Sequence, residues 1–200
     1  IAHGEVGFRH FTANRQIRSP KDMRGLKIRV METPLYMTMI KAMGGSPTPV
    51  AWPETYSALQ TRVVDGHENV MGSIISGRIY EVQKHVTLDG HSYGVDWFVM
   101  NDKFLKGLES DLQDLVLDAA KISVEAERRF IDDMDIRGLQ ILAENKVEVY
   151  TPTAAELAEF RKIAQKPCTF FIFVGCKIGK YCLWKEDFGK RCRKGKETIK

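Results

Sequence analysis

Cysteine is missing from the first 167 residues of this 200-residue chain, and all four (Cys168, Cys176, Cys182 and Cys192) follow Pro167. They are separated by seven, five and nine residues, and none of the five histidines has a second one four positions away. Neither pattern has the close ligand spacing of a zinc centre, so no metal and no cofactor are expected. The sequence lacks a Gly-x-Ser-x-Gly nucleophile elbow and a phosphate-cradling glycine loop, which argues against a hydrolase or a nucleotide enzyme. No apolar run approaches the roughly 18 residues of a membrane span. The opening Ile1-Ala2-His3-Gly4-Glu5-Val6-Gly7 has neither the basic start nor the apolar stretch of an export signal. It also lacks an initiating methionine, and the chain is expected to be a fragment. No internal repeat is visible.

What is present is an ordinary globular composition, 44% hydrophobic and 28% charged, of a size for one domain or two small lobes. The net charge of +4 is unevenly placed. Nine Lys/Arg against three Asp/Glu follow Pro167, a local +6, which leaves residues 1–167 at −2. A basic surface for nucleic acid is therefore unsupported, and no nucleic-acid partner is expected.

Strand and helix signals alternate along the chain. Ser19-Pro20-Lys21-Asp22 reads as a helix start that Gly25 stops. Leu26, Ile28 and Val30 then alternate with Lys27 and Arg29, a strand with one apolar face. Thr33-Pro34 opens a helix that ends at Gly44-Gly45, residues 46–50 return as a strand, and Pro53 opens a third helix that Asp65-Gly66 closes in a tight loop. A helical stretch at about 71–84 precedes one or two strands between Val86 and Met100. The longest helical signal runs from Ser110 to Asn145, where apolar residues recur at three- and four-residue steps. A short strand at 147–150 and a helix from Thr153 to Gln165 follow. This order indicates an α/β fold with much parallel pairing.

Several residues in this frame are candidates for holding a small anion. Arg29 sits near a strand end, where ligands of open α/β sheets collect, and its planar guanidinium matches a carboxylate. On the residues alone it reads more readily as a solvated strand arginine or an internal ion pair. Trp52, just before Pro53, is either a packing residue at a helix start or an aromatic surface for a ligand's carbon skeleton. Asn69, 40 positions after Arg29, suits a turn and also suits an amide contact to a carboxylate or hydroxyl. Arg9 and His91 are unremarkable alone. The acids between Glu127 and Asp135 read as a solvated helix face.

The succession Gly25-Leu26-Lys27-Ile28-Arg29-Val30, Ser46-Pro47-Thr48-Pro49-Val50-Ala51-Trp52, Tyr56-Ser57-Ala58-Leu59-Gln60 and Asp65-Gly66-His67-Glu68-Asn69 closely resembles the central segment of solute-binding proteins of tripartite ATP-independent periplasmic (TRAP) transporters. The resemblance covers about Gly7 to Pro167. It implies a periplasmic-binding-protein-like α/β fold, here mostly one lobe plus crossover strands and a long spanning helix at about 110–145. It also implies a periplasmic, non-enzymatic role: binding a small organic acid, such as a C4-dicarboxylate or sugar acid, and delivering it to the membrane permease subunits. By the same resemblance Arg29 makes the main salt bridge to the ligand, with Asn69, Trp52, Arg9 and His91 as further ligand contacts. His67 would stand one step back from the ligand. The family often has Phe where Trp52 stands, Gln at His67 and Pro at Val70.

The resemblance implies a missing first lobe, so these 200 residues alone are expected to bind ligand poorly. Residues 1–167 form the expected partial solute-binding domain. Residues 168–200 form an atypical basic tail, read as a product of a shifted reading frame or as an accessory module, with a strand conceivable at Phe170–Val174. Alternative readings are a single-lobe sensor or binding module, and an enzyme with a Cys/His site built partly from the tail.

Overall fold

The computed structural model describes the backbone of residues 1–175 and the side chains as far as Ala164; the expectations for Cys176, Cys182, Cys192 and the rest of the basic tail lie outside the described residues. Six strands form one sheet: β1 (Ala2–Ala13), β2 (Lys27–Val30), β3 (Ser46–Pro49), β4 (Gly66–Val70), β5 (His85–Phe98) and β6 (Glu148–Tyr150), in the spatial order β3-β2-β4-β1-β5-β6. The pairs β2·β3, β2·β4 and β5·β6 are parallel, as an alternating strand–helix sequence demands. The central strand β1, in a segment whose glycines and charges gave no clean alternation, is antiparallel to both β4 and β5.

Among the described residues there are six α-helices: α1 (Pro34–Ala42), α2 (Thr55–Gln60), α3 (Met71–Ser76), α4 (Asp102–Lys106), α5 (Ser110–Glu144) and α6 (Ala154–Gly175). Local chemistry explains several boundaries. The Ser19 backbone N–H and hydroxyl both donate to the Asp22 carboxylate, fixing a 3-10 turn at Pro20–Met23. Gly25 then takes φ +78, a conformation open to glycine that turns the chain into β2. Thr33 and Pro34 start α1, where the missing proline N–H leaves no helical bond unmade.

Two apolar cores form on opposite sides of the sheet. One packs Phe11, Ile28 and Val30 against Met39 and Ile40 of α1 and Phe160 of α6. The other packs Leu59 of α2, Met71 and Ile74 of α3 and Leu142 of α5 around Val64 and Val86.

Residues 85–98 form one continuous strand, within the expected one or two. Two expectations change. Residues 66–70 form a fully buried inner strand instead of a loop. The last helix continues through Phe170–Val174, so the backbone there is helical and not extended. The long helix signal is matched by α5, whose 35 residues extend on the order of 50 Å. Its Leu115, Ile122 and Phe130, expected on an apolar face, are each at least 60% exposed, because nothing among the described residues packs over them. No described helix is long and apolar enough to cross a membrane.

Candidate functional site

The parallel strands β2, β3 and β4 end together at Val30, Pro49 and Val70, and the antiparallel β1 brings Arg9 opposite Val70 at the same edge. This is the side of an open α/β sheet where ligands bind. Strand alternation divides the residues there into two groups. Arg29 is the register partner of His67, so both, with Asn69 two residues on, share one face. Arg9 pairs with Val70 and thereby shares the other face with Glu68.

On the second face a buried charge cluster forms. Arg9 Nε and Nη2 both donate to the Glu68 carboxylate, and Nη2 also reaches the Glu68 carbonyl at 3.0 Å. His91 arrives through a bulge: between the pairs Arg9–Ser92 and Phe11–Thr87 the β5 side carries extra residues, and Asp89, Gly90 and His91 are pushed out of register. The imidazole stacks on Phe11 with centroids 4.2 Å apart. Its Nδ1 lies 2.8 Å from Asp89 Oδ2 and its Nε2 3.3 Å from Glu68 Oε2. Burial alone would lower the His91 pKa, but the two carboxylates outweigh it and push it up to about 9. Burial likewise opposes ionisation of Glu68, yet the hydrogen bond from His91 and the charge of Arg9 hold its pKa below the ordinary range.

Two neighbouring histidines stay neutral. Burial lowers His67 to about 3, with Arg29 and Arg9 adding to the effect against Glu68. Burial also lowers His10 to about 4, and its Nδ1 accepts from the Gly90 N–H at 3.2 Å. The charged groups at this edge are then Arg9, Arg29 and protonated His91 against Glu68 and Asp89, one cation in excess.

That excess falls on Arg29. It is 2% exposed, its Nε donates to the Val50 carbonyl at 2.9 Å, and among the described residues no carboxylate pairs with it. Burial lowers its pKa, partly offset by Glu68, without approaching deprotonation. Its guanidinium carbon lies 5.6 Å from the centroid of the Trp52 ring. Trp52 itself, held on a 3-10 turn at Trp52–Glu54, keeps 41% of its surface open, enough for a ring face to meet a ligand. Asn69 uses its Oδ1 to accept from the Val70 N–H at 3.0 Å, which fixes the amide while its Nδ2 makes no hydrogen bond among the described residues.

A family profile for bacterial extracellular solute-binding proteins, family 7 (DctP), matches residues 1–172. This chain belongs to that family. A solute-binding protein of Verminephrobacter eiseniae is 39% identical over 140 residues, 70% of this chain and 42% of its own length. The C4-dicarboxylate-binding periplasmic protein DctP of Rhodobacter capsulatus is 30% identical over 164 residues, 82% of this chain and 49% of the relative. A TRAP periplasmic solute-binding protein from Sulfitobacter, solved with bound β-D-galacturonate, superposes with a TM-score of 0.81 at 29% identity over 87% of this chain and 57% of that one. The chain spans about half the length of the curated relatives it matches.

Within this family 7 sheet, Arg29, Trp52 and Asn69 lie at one edge. Arg9 is close by, but Nε and Nη2 are committed to Glu68. Both ring nitrogens of His91, expected as a ligand contact, are engaged by carboxylates on the inward side of the bulge. Glu68 and Asp89 were not singled out from sequence. Glu68 sits between histidine and asparagine in what reads as a turn, and only its strand geometry shows that it faces Arg9, 59 residues away. Two clefts of about 210 and 260 Å³ lie elsewhere, against α5; Asp132 and Asp135 line the first and make it unsuited to an anion.

Proposed function

We propose that this chain carries the carboxylate-gripping side of a TRAP solute receptor, with Arg29 as the salt-bridging residue, Asn69 as an amide donor beside it and Trp52 as an aromatic wall. The ligand is a small organic acid, received in the periplasm and passed to membrane permease subunits, without chemical conversion. The observation that carries this reading is the single unpaired charge. Three cations and two carboxylates meet at the strand ends, and the arginine that no carboxylate among the described residues pairs is the one beside a partly exposed indole. A buried guanidinium without an anion is unfavourable, so a carboxylate arriving there gains a charge-assisted, two-point contact. Arg9 and His91 support the site by removing Glu68 as a competitor for Arg29.

Thermal-shift measurements on the intact protein test this with succinate, D-galacturonate and neutral D-galactose. A ligand at a hundredfold excess over its Kd stabilises the folded state by about 2.7 kcal/mol, a shift of several degrees. At least one acid is expected to produce it, galactose is not, and Arg29→Ala abolishes it. A response to galactose equal to that for the acids, or a shift indifferent to Arg29, contradicts the reading.

A further inference from the structure

Three residues around Trp52 form an arrangement that the carboxylate grip does not explain. The imidazole of His67 is fully buried and lies nearly parallel to the indole, with centroids 6.3 Å apart and planes 27° from one another. At the indole rim lies Gly77, at the end of α3: a Cβ there would lie 3.0 Å from Trp52 Cζ2, 3.1 Å from Cη2 and 3.0 Å from the Ser73 carbonyl oxygen, tighter than ordinary packing. Arg29 completes the surroundings at 5.6 Å. The large ring thus has a near-parallel neutral imidazole 6.3 Å from its centroid and a glycine at its rim.

The hydrogen bonding of His67 shows what the imidazole is doing. Its Nδ1 is 2.7 Å from Thr12 Oγ1, whereas its buried Nε2 has no hydrogen-bond partner among the described residues. A buried polar atom left unpaired is unfavourable and uncommon. An imidazole retained under that penalty, near-parallel to an indole 6.3 Å away, acts as a flat neighbour to that ring instead of a hydrogen-bonding hub. The indole keeps 41% of its surface open and has the Arg29 guanidinium 5.6 Å from its centroid.

We infer that His67 is a positioning residue for ligand specificity: together with Gly77 it holds the Trp52 indole flat over the Arg29 edge, and this favours cyclic carboxylates, whose ring faces stack on the indole, over linear dicarboxylates. The inference rests on the proposed carboxylate grip of Arg29 and adds the class of acid preferred. A ring face laid on indole gains an aromatic contact that a flexible four-carbon chain cannot match, and a stacked ring contributes about a fivefold to tenfold difference in affinity.

Calorimetric titration of the intact protein with D-galacturonate and with succinate tests it, using wild type, Trp52→Ala, His67→Ala, His67→Gln and the Trp52→Ala/His67→Ala double variant. His67→Gln keeps a polar group near Thr12 and guards against a variant that merely fails to fold. The expected result is that galacturonate binds more tightly than succinate in wild type. His67→Ala and His67→Gln should weaken galacturonate about fivefold and change succinate less than twofold. The double variant should be no weaker than Trp52→Ala alone, because the histidine acts through the indole. Gly77→Ala, by displacing the ring, should reproduce the selectivity loss. Equal losses for both acids, or additive losses in the double variant, overturn the inference. So does a wild-type preference for succinate. If neither acid binds in a manner that Arg29→Ala abolishes, the carboxylate grip falls and this inference falls with it; Arg29-dependent binding with selectivity unmoved by the His67 variants overturns this inference alone.

Discussion

Arg9 and Arg29 lie 20 positions apart, and their surroundings separate their roles. Glu68 occupies Arg9, and Glu68 is in turn held by His91, whose second nitrogen is held by Asp89. The chain of pairs predicts a pH dependence with a defined sign. His91 has a folded pKa of about 9 against an ordinary 6.5, so its stabilisation is complete below pH 6.5 and is lost as pH rises through 9. His67 and His10, lowered to about 3 and 4, act in the opposite direction: their contributions are complete above 6.5 and are lost as pH falls toward those values. Stability is expected to peak near pH 6.5. The alkaline limb has an upper bound on the order of 3 kcal/mol from the His91 shift. Melting temperatures between pH 6.5 and 9 check this: His91→Gln should remove most of the alkaline decline. A decline unchanged in His91→Gln would show that the cluster does not carry it.

At the level of elements, β4 is where sequence reading and structure diverge most. Asp65-Gly66-His67-Glu68-Asn69 has the residue types of a turn, yet it forms an inner strand because β1 and β2 flank it on both sides. Gly66 is there for close approach. A Cβ would sit 2.3 Å from the Thr12 carbonyl oxygen and 3.1 Å from Ala13 Cα, both backbone atoms of the neighbouring strand. Gly66→Ala is expected to cost about 2–3 kcal/mol, read as a lower urea midpoint with an unchanged slope; a midpoint like wild type would show that β1 and β4 separate easily. The strand β1 was illegible for a related reason. Its Arg9 and His10 break the apolar alternation, and the groups that accommodate them, Glu68 and the bulged Gly90, come from other strands. By contrast β2, α1 and α5 were legible because alternation, a Thr-Pro start and a helical apolar period are properties of contiguous residues.

Across the whole molecule, the order of strands and helices and the family motif were readable from the sequence, and Arg29, Trp52 and Asn69 do meet at one sheet edge. Which arginine is left without a carboxylate was not readable, since that depends on Arg9, Glu68, Asp89 and His91 meeting across three strands. The sheet presents one excess cation at the ends of its parallel strands, and the account stands on that charge being the anchor for an organic acid. The most direct measurement is calorimetry of the intact protein with an acid that binds and with its primary amide, in wild type, Arg29→Lys and Arg29→Ala. The acid should bind wild type, the amide should not, and Arg29→Ala should lose at least about 100-fold in affinity, with Arg29→Lys recovering only part because an ammonium lacks the paired planar donors. Equal binding of acid and amide, or an affinity that survives Arg29→Ala, would contradict the account.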